Sequence, residues 1–80
     1  MSSWKNIKIP SGSKLFQVHT FSFMYNGVNY IIEIDEFSDG SFTAHGEHST
    51  DKNYVIESVS GKDLLTCLSG IIKKIEERSV

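Results

Sequence analysis

From Leu15 to Ile34, apolar and polar residues alternate in two runs that meet at Asn26-Gly27. A period of two puts alternate side chains on opposite faces of a strand, and Asn-Gly suits a type I′ turn, in which both central residues take φ > 0. The pattern predicts a β-hairpin with Tyr25 opposite Val28, Phe23 opposite Tyr30, Phe21 opposite Ile32 and His19 opposite Ile34, all on one face. A slip of one residue would mix this set with Thr20, Ser22, Asn29 and Glu33, so the aromatic pairs specify the register.

Ser38-Asp39-Gly40 marks a second turn, and two registers compete there. A two-residue Asp-Gly loop would set His45 and Glu47 beside Ile34 and Ile32. A three-residue loop with Gly40 in the left-handed position instead turns Phe42, Ala44 and Gly46 to the core face. The second is favoured because it buries apolar groups rather than charges. A third strand then runs from Ser41 to about Glu47, and the β-branched run Tyr54 to Val59 suits a short fourth. In that run Tyr54 and Ile56 compete with Val55 and Val59 for the inward face.

Toward the C-terminus the period changes. Leu64, Leu65, Leu68, Ile71, Ile72 and Ile75 recur at helical spacing within an arc of roughly 120°, opposite Lys62, Thr66, Ser69, Lys73 and Glu77. Ser60 is the expected N-cap with Asp63 at N3, and Val59 with Leu64 forms the expected staple. The fold class is therefore α+β, an antiparallel β-meander of three to four strands with one C-terminal amphipathic helix packed on one face. One domain is expected, with an arm and connector over residues 1–13, the meander over 14–59 and the helix over 60–78.

At 80 residues the chain hides only roughly 60% of its unfolded surface, so every large apolar side chain matters. The net charge of −2, with lysines and arginine scattered, gives no footprint for nucleic acid or an anionic membrane. A lone cysteine, Cys67, excludes an intrachain disulfide and suits a reducing compartment. Neither a signal-peptide core nor an apolar run near ~20 residues is present, so a cytoplasmic protein is expected.

Candidate chemistry is sparse. His45, Glu47 and His48 are residue types that zinc accepts and give the alternative reading, a small metal- or ligand-binding domain, although His48 points away from the other two unless the strand has ended before it. Across the sheet, Thr20, Glu33 and His45 form a polar row in which the carboxylate could orient the imidazole. No nucleophile or oxyanion donor accompanies them, so the expectation is a non-enzymatic protein without a cofactor. His19 reads as a hydrogen-bonded residue of the core face, and Cys67 as a small hydrophobe flanking the helix stripe.

The residues with the best claim on function are apolar ones facing away from the helix: Phe16, Val18, Met24, Ile31 and Phe37. One helix covers one face of a sheet. Either Trp4, Ile7 and Ile9 of the arm fold across the outer side, or the chain is an interaction domain that binds a protein partner or a second copy through that side or through an edge strand.

Overall fold

The computed structural model describes residues 4–78. A single 3-10 turn, Trp4–Asn6, precedes strands β1 (Phe16–Tyr25), β2 (Val28–Phe37), β3 (Phe42–His48) and β4 (Val59–Gly61), and helix α1 (Leu64–Arg78) closes the chain. The strands form one antiparallel sheet in the order β1-β2-β3-β4, with α1 against it. This is the α+β meander that the alternation and the helical stripe require.

Both turns follow their local chemistry. Asn26 and Gly27 take φ of 51° and 76°, and the hairpin pairs Tyr25 with Val28, Phe23 with Tyr30, Phe21 with Ile32 and His19 with Ile34. At the second turn Gly40 takes φ 92°, the Phe37 N–H donates to the Ser41 carbonyl at 2.9 Å, and Ala44 falls opposite Ile34. This is the three-residue loop. Inside it Asp39 Oδ1 accepts from the Ser41 N–H at 2.9 Å and from its hydroxyl at 2.6 Å, which holds the Asp39 carboxyl below its ordinary value.

Helix α1 packs on β2, β3 and β4. Ile32, Ile34, Ala44, Cys67, Ile71 and Ile75 are completely buried between the layers and Tyr30 nearly so. Each such isoleucine contributes roughly 1.5–3 kcal/mol over leaving it exposed. Glycines stand where the layers meet most tightly, and at Gly61 an added Cβ would come within 3.0 Å of Cys67 Sγ. A Cβ on Gly46 would come within 3.3 Å of both Ile56 and Ile71, and one on Gly70 within 2.8 Å of Val59.

Three features depart from expectation. The helix begins at Leu64, not Ser60, because Ser60 and Gly61 are extended in β4, opposite Thr43 and Phe42. Asp63 is therefore the N-cap, its Oδ1 accepting the Thr66 N–H at 2.7 Å, a bond that depresses the Asp63 carboxyl. With Asp63 as N-cap, Val59 and Leu64 no longer hold the two staple positions, and Val59 lies against Gly70, nearly two turns into the helix. The buried stripe is centred on Cys67, Ile71 and Ile75, so Cys67 lies at its middle while Leu65, expected within it, is 73% exposed.

The fourth strand also moves. Residues 54–58 are not strand, because Tyr54 and Ile56 turn toward the core cluster and draw the backbone out of the ladder, leaving Val55 exposed. Tyr54 packs on Tyr30 and His48, and the Arg78 guanidinium sits 5.3 Å over its ring. The segment closes the far end of the helix layer.

The molecule measures 44 × 22 × 19 Å, with a radius of gyration of 14.4 Å. A compact chain of this length is expected near ~12 Å. The elongation has a simple cause. Ten-residue strands reach ~34 Å, whereas a 15-residue helix covers ~22 Å, so part of the sheet extends beyond the helix layer.

Candidate functional site: the outer sheet face and the β1 edge

The alternation of β1 places Phe16, Val18, Thr20, Ser22 and Met24 on the side away from α1. Across the ladder this face continues with Asn29, Ile31, Glu33, Asp35 and Phe37 of β2 and Thr43, His45 and Glu47 of β3. The five apolar residues singled out from the sequence thus share one face. They do not form one uniform patch. Phe16 and Phe37 pack together with ring centroids 5.2 Å apart, and Ile31, half-buried, lies between Ser22 and Glu47.

Exposure concentrates on the first strand. Met24 is 67% exposed, Val18 45% and Phe16 41%, whereas Ile31 and Phe37 are half-buried. The ionisable residues Glu33, Asp35, His45 and Glu47 occupy the middle of the sheet. No Asp, Glu, Lys or Arg lies within β1.

β1 is also an edge strand, paired among the described residues only with β2. Its pairing runs unbroken through ten residues, without a bulge. In a two-residue hairpin the residues flanking the turn form a hydrogen-bonded pair, and such pairs then alternate along the ladder. Tyr25, Phe23, Phe21, His19 and Gln17 therefore bond to β2, while the backbone groups of Phe16, Val18, Thr20, Ser22 and Met24 point to the free edge. The residues with outward side chains are the same ones with outward backbone.

Among the described residues the N-terminal arm leaves Val18 and Met24 of the outer face exposed and borders that face at its Phe16–Phe37 end, where Ile9 lines a depression with Phe37. Its Lys5 Nζ lies 2.9 Å from Glu36 Oε2, and Glu36 is on the same side of β2 as Ile34 and Ile32, beyond the start of the helix. This ion pair ties Lys5 of the arm to the inner side. His19 Nε2 meets the other oxygen, Oε1, at 2.9 Å. These two contacts, His19 first and Lys5 second, hold the Glu36 carboxyl below its ordinary value. Trp4 borders a shallow depression with Leu15, Phe16 and Gln17, while Ile7 and Ile9 remain exposed. His19 is thus hydrogen-bonded at the end of the core face, as its position suggests.

The structure does not bring His45, Glu47 and His48 together. His45 Nε2 reaches Asp35 Oδ2 at 3.3 Å rather than Glu33, and Glu47 lies 3.8 Å from Lys52. His48 is on the opposite face, its ring 5.5 Å from Tyr30 and 5.2 Å from Tyr54. Its Nδ1 accepts the Thr50 and Asp51 N–H groups at 3.2 and 2.9 Å, so this nitrogen is committed to the loop. Among the described residues no three His, Cys, Asp or Glu side chains stand close enough to hold a metal ion. Cys67 is buried with its thiol 3.6 Å from the Phe42 carbonyl, and burial raises its pKa, with the Asp63 charge adding to the effect.

Two elements of the site escape a strand-by-strand reading of the sequence. One is the Lys5–Glu36–His19 cluster, which joins three distant segments. The other is which strand forms the long edge: an edge strand is an expected binding element, and the uncharged run Phe16–Tyr25 is the available signal that it is β1.

No protein family, curated protein sequence or solved structure matches the chain. No helix among the described residues is long and apolar enough to cross a membrane.

Proposed function

We propose that this chain is a small non-enzymatic protein-interaction domain of the cytoplasm, binding a protein partner or itself through the outer sheet face or the β1 edge. The observation that carries this reading is the exposure of Phe16, Val18 and Met24 along one strand with an unpaired side. Burying apolar surface contributes about 25 cal/mol per Å², and edge backbone groups offer directional bonds to an added chain. Both contributions are gained only on binding.

The mixture of these anchors with Thr20, Ser22, Glu33 and Asp35 resembles a non-obligate interface, in which apolar contacts are interspersed with polar groups. A domain of this kind stays folded when unbound. The Glu33–His45 row lies across an open sheet face, which offers a substrate no enclosure.

The test is affinity capture with the wild-type chain, Phe16→Asp and Ile31→Asp, each first checked for folding by circular dichroism and urea titration. The expected result is a captured protein that both folded variants lose. Retention of that protein by both folded variants overturns the reading. If both variants unfold, the two residues are core and the proposal loses its site.

A further inference from the structure

We infer that the occupant of the β1 edge is a second copy of this chain, added antiparallel along β1 so that two sheets become one. This rests on the interaction reading above and narrows it to one partner and one geometry.

Native edge strands are usually short, charged, bulged, proline-bearing or covered. β4, with three residues, is short. β1 has none of these guards: it is ten residues long, has an unbroken register, and contains no proline, lysine or other formal charge. Among the described secondary-structure contacts its main neighbour is β2, and α1 packs on the other three strands.

Charge selects the edge over the face for a second copy. Stacking two outer faces would oppose Glu33, Asp35 and Glu47 to their own copies, with His45 as the facing imidazole. Pairing β1 with itself opposes no like charges, and cross-strand like-charge pairs are what destabilise such ladders.

Geometry restricts the register. Hydrogen-bonded pairs across the new seam must come from Phe16, Val18, Thr20, Ser22 and Met24, whose backbone faces outward. Centring the two-fold on Phe21 pairs Val18 with the partner's Met24 and Thr20 with the partner's Ser22, each twice by symmetry. On the outer side Val18 and Met24 then cover each other. On the inner side Phe21 meets its own copy, where α1 gives β1 little cover and Phe21 and Phe23 are only half-buried. Isologous contacts of this kind close after two copies.

Sedimentation equilibrium over micromolar to millimolar concentrations, with amide hydrogen exchange, tests the assignment. The expected result is a doubling of mass with concentration, accompanied by protection of the Val18, Thr20, Ser22 and Met24 amides. Thr20→Lys adds a charge at an exposed seam position, and Ser22→Pro removes an N–H that β2 does not use. Each should weaken the dimer at least about tenfold, a change of ~1.4 kcal/mol. Thr20→Lys keeps the test open if the proline variant fails to fold.

A monomer throughout, or a dimer unchanged by folded Thr20→Lys, overturns the assignment of a second copy to the β1 edge. A dimer lost in Ile31→Asp but retained in Thr20→Lys does so too, while leaving an outer-face interaction intact. Loss of a captured partner in Phe16→Asp without any self-association has the same meaning. Failure of the wider reading is distinct, because there neither self-association nor a partner depends on these residues.

Discussion

His19 Nε2 meets Glu36 Oε1 at 2.9 Å while Lys5 Nζ holds the second oxygen of the same carboxylate at 2.9 Å. One glutamate thereby joins the N-terminal arm to the first two strands, at the end of the inner face beyond the helix start. Its carboxyl is depressed mainly by the His19 bond and then by Lys5. A carboxyl whose folded pKa lies below its unfolded value adds stability above the ordinary carboxylate range and loses it as pH falls through the folded value. Acidification through and below that range should release the arm. Trp4, the only tryptophan, reports this as a change in fluorescence emission. Glu36→Gln should show the released signal at neutral pH and remove the acid transition.

At Gly70 the helix lies so close to β4 that an added Cβ would stand 2.8 Å from Val59 Cγ1. Alanine has the better helix propensity by about 1 kcal/mol, but overpacking against a stiff β-branched side chain costs about 1–3 kcal/mol. Gly70→Ala should therefore lower stability on balance in urea denaturation. Adding Val59→Ala should offset part of that loss, a coupling that independent sites would not show.

Leu65 and Ile71 are both apolar helix residues, yet one is 73% exposed and the other fully buried. Ile71→Ala should cost about 2–5 kcal/mol, a large share of the stability of so small a domain. Leu65→Ala should change the urea midpoint little. Equal losses at the two positions would mean that the helix is rotated from the arrangement described.

Asp63, rather than Ser60, caps α1. Asp63→Ala should lower the unfolding midpoint at neutral pH, whereas Ser60→Ala, at an exposed position in β4, should have little effect. The Asp63 carboxyl is depressed by its bonds to Thr66, so its contribution is present above the ordinary carboxylate range and fades as pH falls through the folded value. The difference between wild type and Asp63→Ala should accordingly shrink on acidification.

Zinc titration followed by amide NMR should leave His45, Glu47 and His48 without a concerted shift, because His48 lies on the opposite face from the other two and its Nδ1 accepts from the loop. A saturable shift at all three would require the end of β3 to rearrange.

The hairpin around Asn26-Gly27, the bulged turn at Gly40 and the helix beyond Asp63 were legible in the chain because each depends on neighbours a few residues away. Turn conformation, strand alternation and helical periodicity are local properties, and here they agree with one another. The start of the helix was less legible, since Ser60 and Asp63 both suit a cap and the choice was made by β4, which claims Ser60 for pairing with Thr43. Tyr54 and Ile56 left the ladder for a similar reason, drawn inward by a core that no local pattern describes.

Alternation along Phe16–Met24 and Ile31–Phe37 was enough to divide these residues between two faces, and the residue types alone predicted which face the helix would bury. Only the folded chain decided that the arm goes to Glu36 on the inner side, that α1 packs over β2, β3 and β4, and that β1 is left as a long neutral edge. Those outcomes depend on the relative lengths of strand and helix and on a charge pair more than thirty residues apart in sequence, Lys5 with Glu36. Periodicity assigns a side chain to a face, but whether that face is covered depends on which distant segment reaches it.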